Sequence, residues 1–346
     1  MKAAVLTGPR KLELADVDAP AKDGENVIID VAACGVCGSD IHYWEMGVGM
    51  AGVQDLIPGH EFCGIVSDPG ARTDLVPGDR VTSIPLNPCG DCPICGQGLF
   101  QLCPHSWRRP IPGNNAPGAF AEKVALRGDM VRKLPDEITD EAACLIEPAA
   151  VALHALHQAS VSVGDRVLVI GGGTIGLLCA AWAKRAGAML VGICEVNPHR
   201  IEYAEASGFA DTVFDGRHEK VRRRFKEASG GGFDKVVETS AVDAGLALGV
   251  SALRARGTLV LAGINFSPQA VPTLAMTSKE LVQKGSMAYS IGEFDTALSF
   301  MADNRLDVGG MVNKRAKLSD LQDIFEKLHA GEPTIVKAVI FPSDRP

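Results

Sequence analysis

The chain has 346 residues, 46% of them hydrophobic and 22% charged, a composition typical of a globular protein of about two domains. Its formal net charge of −8 disfavours nucleic acid or an anionic membrane as a partner. The N-terminus reaches Gly8-Pro9 too soon for a secretory signal, and no apolar run approaches the roughly 20 residues that span a bilayer. Ten cysteines in such a chain predict a cytoplasmic protein whose thiols bind metals or fill the core.

The first 145 or so residues predict an irregular β-rich unit. Short strand-like runs alternate there with Gly- and Pro-containing turns such as Pro77-Gly78-Asp79. The predicted strands are Val27–Ile29, Cys63–Val66, Arg80–Ile84 and Ala121–Val124.

Metal-type residues appear within this unit at Cys37 and at Gly59-His60-Glu61. A thiolate, an imidazole and a carboxylate leave room for an exchangeable fourth ligand, which is the pattern of a catalytic zinc site. Each residue alone also fits a structural role, since a single Cys is usually a small core residue and a single His a hydrogen-bonded one. The five cysteines outside the candidate sites are predicted to be core residues: Cys34, Cys63, Cys144, Cys179 and Cys194.

Four further cysteines follow in the pattern C-x₂-C-x₂-C-x₇-C, namely Cys89, Cys92, Cys95 and Cys103. Pro and Gly residues interrupt this segment and predict a knuckled loop rather than a helix or strand. Four thiolates satisfy tetrahedral Zn²⁺ without a position for water, so the pattern predicts a structural zinc site. Two disulfides or an iron–sulfur cluster are the alternatives.

The pattern changes at Glu147-Pro148, which open an apolar helical stretch through His157. From Asp165 onward, apolar strands alternate with helices, which predicts a parallel sheet covered on both faces. The predicted strands are Arg166–Ile170, Leu190–Cys194, Thr212–Phe214, Lys235–Glu238 and Thr258–Ala262, with a helix over Ile175–Ala186 after the first. Beyond about residue 290, helices near Phe294–Met301 and Leu318–Leu328 and a strand at Ile335–Phe341 form a tail too short for a separate domain.

A dinucleotide-binding fingerprint lies between the first of these strands and its helix. The segment Gly171-Gly172-Gly173-Thr174-Ile175-Gly176 satisfies G-x-G-x-x-G: Gly171 permits the turn, Gly173 allows close approach of a pyrophosphate, and Gly176 allows helix–strand packing. Glu195 ends the second strand, where an acid accepts hydrogen bonds from ribose hydroxyls and repels a 2′-phosphate. The combination therefore predicts NAD as the cofactor rather than NADP.

Together these motifs resemble the zinc-containing medium-chain dehydrogenase/reductase (alcohol dehydrogenase) family over essentially the whole chain. The resemblance rests on Gly35–His42, on Gly59–Gly64, on the four-cysteine segment and on the glycine fingerprint. Within the family, His42-Tyr43-Trp44-Glu45 and Ile146-Glu147-Pro148 are most similar to the polyol (sorbitol-type) dehydrogenases. Threonine dehydrogenases and butanediol dehydrogenases are near neighbours.

The resemblance implies an α/β protein in which a Rossmann domain is inserted into a GroES-like β-rich catalytic domain. Residues 1–148 would form the catalytic domain with the structural zinc lobe, residues 149–289 the NAD-binding domain, and residues 290–346 the return to the catalytic domain. The family also implies a homo-oligomer, a tetramer or a dimer, acting on a small molecule.

The resemblance also implies roles for individual residues. Cys37, His60 and Glu61 would ligate the catalytic zinc, and Glu147 would bind it directly or through its water. Asp40 would orient His60, while Ser39 and His42 would relay a proton to solvent. Cofactor contacts would come from Gly171, Gly173, Thr174, Ile175, Gly176, Glu195, Arg200, Gly263 and Met287.

The implied reaction is the NAD-dependent oxidation of a secondary alcohol of a polyol or vicinal diol to a ketone. The rivals are threonine 3-dehydrogenase-type or 2,3-butanediol dehydrogenase activity and, from another class, a nucleotide-binding protein without dehydrogenase activity. Tyr43 and Phe120 are the predicted substrate-pocket residues, with Trp44 and Tyr289 as further candidates. Trp44 and Phe120 fit a purely core role equally well.

Overall fold

The computed structural model describes residues 1–332 and 334–343. They divide into two compact units, Met1–Glu147 with Ser290–Pro346, and Pro148–Tyr289. The first part of the chain contains β1 (Lys2–Gly8), β2 (Lys11–Asp16), β3 (Val27–Gly35), α1 (Gly38–Met46), β4 (Glu61–Asp68), β5 (Arg80–Ser83), β6 (Lys123–Leu126), β7 (Val131–Lys133), α2 (Asp140–Ala143) and α3 (Ile146–Ala159). From Pro148 onward α3 belongs to the second unit, which continues with β8 (Arg166–Ile170), α4 (Thr174–Arg185), β9 (Leu190–Glu195), α5 (Pro198–Ser207), β10 (Thr212–Asp215), α6 (Val221–Ser229), β11 (Phe233–Glu238), α7 (Asp243–Ala252), β12 (Leu253–Leu261), α8 (Thr273–Ser278) and β13 (Val282–Gly285). The last part contains α9 (Ile291–Ala302), β14 (Val312–Lys317), α10 (Leu321–His329) and β15 (Lys337–Phe341).

The first unit is built on a seven-stranded sheet in the order β14-β15-β3-β4-β5-β7, with β6 also paired to β3. Strands β3 and β4 are antiparallel, and their register sets Gly35 opposite Glu61. Strand β15 pairs with β3 near the same end, where Val339 lies opposite Gly35. The end of β3 and the first halves of β4 and β15 therefore lie side by side at one end of the sheet's strands.

Helix α1 begins directly after the end of β3 and carries several of the predicted site residues. Cys37 is its N-cap, Asp40 lies in its first turn, and Gly47 ends it in the left-handed conformation with φ of +73°. Asp40, Tyr43 and Trp44 form its buried face. The prediction of an irregular β-rich unit missed this helix, because a start at Gly38-Ser39-Asp40 is also typical of a turn.

The second unit contains a parallel six-stranded sheet in the order β10-β9-β8-β11-β12-β13. The predicted alternation of apolar strands and helices is confirmed, and the strand predicted at Arg166–Ile170 has those bounds. Strands β11 and β12 begin earlier than predicted, at Phe233 and Leu253. Because the chain turns from β8 first to β9 and later to β11, the carboxyl end of β8 lies at a topological switch point.

The tail of the chain returns to the first unit, because β15 pairs with β3 and β14 pairs with β15. Helix α10 packs its apolar side into the same core, through Leu321, Ile324 and Phe325. Within the described part of the chain, no helix has both the length and the apolar character needed to cross a bilayer.

Candidate active site and metal centres

The four cysteines of the C-x₂-C-x₂-C-x₇-C segment converge on one point. Their sulfur atoms lie 3.5 Å apart for Cys89 and Cys103, 3.9 Å for Cys89 and Cys95, and 4.0 Å for Cys92 and Cys103. Four thiolates that bind Zn²⁺ tetrahedrally at about 2.3 Å have sulfur–sulfur separations of about 3.8 Å. The sulfurs therefore fit one tetrahedral ion, whereas a disulfide would require about 2.05 Å.

The backbone of this lobe also favours thiolates. The N–H groups of Cys89 and Cys95 donate to the sulfurs of Cys103 and Cys92 at 3.4 Å. Burial raises the pKa of the Cys103 thiol, but the N–H groups of Cys89 and His105 outweigh it and lower that pKa to about 6. The segment is held by short 3₁₀ turns rather than by a longer helix or strand. The predicted knuckled loop is confirmed, and its donor set fits a closed metal site.

A second group of possible metal ligands is formed by Cys37, His60 and Glu61, whose ligand atoms all lie within 4.8 Å of one another. The sheet register explains this proximity, because Cys37 follows the end of β3, while Glu61 begins the antiparallel strand β4 and His60 directly precedes it. His60 and Glu61 are buried, and Cys37 is half-buried. Glu147 is not a member of this group of mutually close ligand atoms.

Asp40 is fully buried and links the two chain segments that carry these ligands. Its Oδ2 accepts a hydrogen bond from the N–H of Cys37 at 2.9 Å, and its Oδ1 accepts one from the N–H of Gly59 at 3.2 Å. Oδ1 also lies 3.5 Å from Nδ1 of His60. The carboxylate therefore fixes the backbone on both sides of the cluster and faces the imidazole, which is the position predicted for it.

The electrostatics of His60 fit a site for a cation. Burial lowers the pKa of this imidazole, but the negative charges of Asp40 and Cys37 outweigh it and raise the pKa well above its usual value. Its Nδ1 is enclosed and makes no hydrogen bond within the described residues. The imidazole and the carboxylates of Asp40 and Glu61 are buried beside the half-buried thiol of Cys37. Acidic groups are rarely buried without a cationic partner or a metal ion, so this cluster requires positive charge nearby.

Lys337 supplies one positive charge, and sequence reasoning missed it. This lysine begins β15, is 2% exposed, and forms an ion pair with Glu61. Its Nζ also donates to the carbonyl of Val36 at 3.0 Å. Burial lowers the pKa of Lys337, but Glu61 and Cys37 outweigh it and raise that pKa. The place of Lys337 directly before the apolar run Ala338–Phe341 was a signal in the sequence that this lysine could be buried, and a buried lysine needs a charged partner.

The predicted relay residues Ser39 and His42 lie three positions apart on α1, where side chains share one face of a helix. Both are half-buried. Nδ1 of His42 lies 3.5 Å from the carboxylate of Glu45. Ser39 and His42 therefore lie on the same short helix that Cys37 caps.

Three of the four predicted pocket residues, Tyr43, Trp44 and Phe120, belong to the core of the first unit, whereas Tyr289 is the last residue of the second unit and is fully buried. Phe120 is fully buried and packs edge-to-face on Phe325, with ring centroids 6.0 Å apart. Tyr43 is 5% exposed, its hydroxyl donates to Oδ1 of Asn114 at 2.8 Å, and burial raises its pKa to about 12. Trp44 is buried in the same cluster. For Phe120 and Trp44, this is the core role that the sequence left open.

The glycine loop has the shape that the fingerprint predicts. Gly171 follows β8 with φ of +102°, and a Cβ on Gly176 would lie 1.9 Å from the carbonyl oxygen of Gly171. A Cβ on Gly173, the N-cap of α4, would meet no atom within 4 Å. Since α4 begins at Thr174 and continues through Ile175, the loop offers open space at a helix N-terminus, which suits a phosphate.

Glu195 ends β9 beside this loop and is 7% exposed. Its carboxylate accepts hydrogen bonds from the N–H groups of Gly172, Val196 and Asn197 at 2.6–2.9 Å. Three backbone donors hold the carboxylate in place and leave acceptor capacity for a ligand. In the following helix, Nε of Arg200 is enclosed and has no hydrogen-bond partner among the described residues.

The remaining predicted cofactor residues lie in the same unit. Gly263 follows β12, and its N–H donates to the carbonyl of Glu238 at 2.9 Å. A Cβ on Gly263 would lie 2.7 Å from the backbone nitrogen of Ala241, so the position requires glycine. Met287 follows β13 and is 41% exposed.

Comparisons with known proteins cover nearly the whole chain. Residues 23–136 match the alcohol dehydrogenase GroES-like domain, and residues 174–303 match the zinc-binding dehydrogenase domain. A relative from Neosartorya fischeri named "Probable D-xylulose reductase A" is 34% identical over 336 residues, which are 95% of this chain and 93% of that protein.

Solved structures give the same result. An oxidoreductase/dehydrogenase of unknown specificity from Escherichia coli has a TM-score of 0.92 at 28% identity over 99% of both chains. The 2R,3R-butanediol dehydrogenase from Bacillus subtilis has a TM-score of 0.88, also at 28% identity over 99% of both chains. The predicted combination of a GroES-like β-rich domain and a Rossmann domain is confirmed.

Proposed function

Because the chain belongs to the zinc-binding medium-chain alcohol dehydrogenase family, we propose that it oxidises a secondary alcohol of a polyol or vicinal diol to a ketone with NAD⁺. The observation that carries the proposal is the group of Cys37, His60 and Glu61, whose ligand atoms lie within 4.8 Å of one another. Three protein ligands on a tetrahedral zinc ion would leave a fourth position for substrate. The relatives named D-xylulose reductase and the butanediol dehydrogenase support the substrate class.

The residues present fit two zinc ions with different roles. Cys89, Cys92, Cys95 and Cys103 would hold a structural ion, because their four sulfurs complete a tetrahedron. Cys37, His60 and Glu61 would hold a catalytic ion, and we retain Glu147 as a fourth group that acts directly or through water. A bound Zn²⁺ at such an open site supplies Lewis-acid polarisation of a hydroxyl, and NAD⁺ supplies the hydride acceptor.

The protein's own residues then position the substrate and move its proton. Asp40 holds both ligand-bearing segments by hydrogen bonds to the N–H groups of Cys37 and Gly59. Lys337 pairs with Glu61 and balances part of the negative charge of the cluster. The hydroxyl of Ser39 and the imidazole of His42 lie on one helix face, where they would pass the alcohol proton toward solvent.

The relay role of His42 predicts a specific kinetic loss. His42→Ala should slow oxidation by about 10- to 100-fold, because solvent replaces the base only in part. Added imidazole should restore some of the rate. Initial rates against pH, with a carbon-deuterated substrate to show that hydride transfer is rate-limiting, test this. An unchanged pH–rate profile in a folded, zinc-loaded variant would exclude the relay role.

Glu195 predicts the choice of cofactor. Its buried carboxylate should repel the 2′-phosphate of NADP⁺, so Glu195→Gln should raise the ratio of kcat/KM for NADP⁺ over NAD⁺ by about tenfold or more. The amide keeps one of the two acceptor oxygens that face the backbone N–H groups, whereas Glu195→Ala keeps neither, so comparison of the two variants helps to separate the charge from the support of the loop. Comparable kcat/KM values for both cofactors in the wild type would refute the repulsion argument.

A substrate panel tests the proposed function itself. Sorbitol, xylitol, galactitol, 2,3-butanediol and L-threonine should be compared by initial rates of NADH formation. The proposal expects turnover of a polyol or diol to a ketone. Turnover of L-threonine alone would overturn it in favour of the threonine 3-dehydrogenase-type rival. No turnover of any alcohol by a fully zinc-loaded sample would favour a nucleotide-binding protein without dehydrogenase activity.

We further propose that the first unit is the catalytic domain and the second the NAD-binding domain, and that the enzyme is a cytoplasmic homo-oligomer.

Strand β13, Val282–Gly285, is an edge of the parallel sheet, and all four of its residues are exposed. Leu274 and Phe266 in the same unit are 82% and 69% exposed. An exposed edge strand and large apolar side chains support self-association. All ten cysteines are free thiols, which supports a reducing compartment.

A further inference from the structure

Three titratable side chains form a row next to the proposed relay, all within the first unit. Glu45, one turn after His42 on α1, faces an imidazole with each of its oxygens. Oε2 lies 3.5 Å from Nδ1 of His42, and Oε1 lies 2.9 Å from Nδ1 of His329. Arg10, in the turn between β1 and β2, approaches Oε1 at 3.9 Å. We call His42, Glu45 and His329 the His–Glu–His row.

The two helices that carry the row are held together by defined contacts. Oε1 of Gln322 on α10 accepts hydrogen bonds from the indole N–H of Trp44 at 3.1 Å and from the N–H of Leu12 at 2.8 Å. The ring of Trp44 also packs edge-to-face on His329, with centroids 5.6 Å apart. These contacts hold α10 beside α1 and so place Glu45 between His42 and His329, although each of the three side chains is 33–40% exposed.

The dipole of α1 does not explain why a glutamate occupies position 45. Glu45 lies in the last turn of α1, where the negative end of the helix dipole disfavours an acid. His329, by contrast, is the last residue of α10, where the same effect favours an imidazolium. The carboxylate of Glu45 therefore lies between two imidazoles and near one guanidinium, at a position that the helix dipole does not favour.

We propose that Glu45 positions the relay histidine of the proposed dehydrogenase. Its carboxylate, 3.5 Å from Nδ1 of His42, favours the neutral tautomer that carries its proton on Nδ1, and this leaves Nε2 free to accept the proton released by the alcohol. The same carboxylate stabilises the imidazolium that forms, and His42 then returns the proton to solvent. His329 shares the carboxylate and, when protonated, offsets part of this stabilisation. The inference deepens the proposed function and rests on it.

The charges that face His42 set the direction of each effect. Within α1 the facing group is Glu45, and through it His329 of α10 and Arg10 of the β1–β2 turn. Glu45→Gln removes the negative charge, so His42 should titrate at lower pH. His329→Gln removes a competing positive charge, so His42 should titrate at higher pH.

An NMR titration of the zinc-loaded full chain, labelled at Cε1 of histidine, measures this without any need for turnover. The loss of one resonance in His42→Gln assigns the signal. The matched control is Asp323→Asn, which removes a carboxylate of α10 that pairs with Lys327 instead. The proposal expects opposite shifts in Glu45→Gln and His329→Gln and none in the control. Unchanged midpoints in both variants would overturn the proposal, and a shift in Glu45→Gln alone would remove His329 from it.

Kinetics complete the test. In Glu45→Gln, kcat for polyol oxidation should fall about 3- to 10-fold, while KM stays nearly unchanged. The rise of kcat on the acidic side of its pH–rate profile should move to lower pH. A purely structural loss would lower the amount of active enzyme without moving this rise, and this result would contradict the proposal. If the NMR midpoints shift but no alcohol is oxidised, the coupling within the His–Glu–His row is supported and the proposed function fails. If alcohol is oxidised but no midpoint moves, the row fails and the proposed function remains.

Discussion

Cys37→Ala should abolish alcohol oxidation, lowering kcat/KM by more than about 1,000-fold, while the folded structure persists. Cys37 is one of three mutually close ligand groups, and an ion held by His60 and Glu61 alone would be weakly bound and wrongly oriented. The side chain is half-buried at the N-cap of α1 and is not a member of the hydrophobic core. The zinc content measured by elemental analysis should therefore fall from two ions per chain to one, with little change in Tm.

The matched control for this variant is Cys34→Ala. Cys34 lies three residues earlier on β3, is fully buried, and belongs to the core cluster rather than to the ligand group. It should keep two zinc ions and most of the activity, with a modest loss of stability from the smaller side chain. Full activity in Cys37→Ala would show that the group does not carry the chemistry.

Cys95→Ala should act on stability instead. The four sulfurs of the lobe lie at the separations of a tetrahedral thiolate site, and the segment between them has only 3₁₀ turns to hold it. Without one thiolate, the metal and its contribution to folding are lost, so Tm should fall by about 10 °C or more. One zinc ion per chain should remain, at the Cys37 group.

Differential scanning calorimetry and elemental analysis measure these changes. Cys179→Ala is the control, because Cys179 is fully buried in α4 and belongs to neither ligand group. It should keep both ions and lose only the stability expected of a small core truncation. Equal Tm values for Cys95→Ala and Cys179→Ala would show that the lobe does not depend on its metal. A preparation with one zinc per chain that is lost in Cys95→Ala would instead refute the Cys37 site.

Local patterns in the sequence predicted the parts of the molecule that local physics determines. Apolar runs bounded by Gly and Pro predicted the parallel sheet, and β8 has the predicted bounds. Cysteine spacing predicted a lobe whose ligands lie within fifteen residues of one another. The glycine fingerprint predicted a turn at which Gly171 and Gly176 are required by backbone contacts.

Contacts between distant segments could not be predicted in this way. Lys337 pairs with Glu61 across 276 residues, and only the pairing of β15 with β3 brings them together. The pairing of His329 with Glu45 likewise depends on how α10 packs beside α1. The burial of Phe120, which the sequence left open, was decided by packing on Phe325 of the tail. Side-chain periodicity carries no information about such partners.

The most direct measurement of the central claim follows one hydrogen atom. Xylitol deuterated at its secondary carbons is incubated with NAD⁺ and either the zinc-loaded wild type or Cys37→Ala, and NADH is analysed by mass spectrometry. We expect one deuterium per NADH formed by the wild type, with a ketose as the other product, and no NADH above background in the variant. Formation of NADH without deuterium, or equal formation by both proteins, would contradict hydride transfer from a secondary alcohol at the Cys37 site.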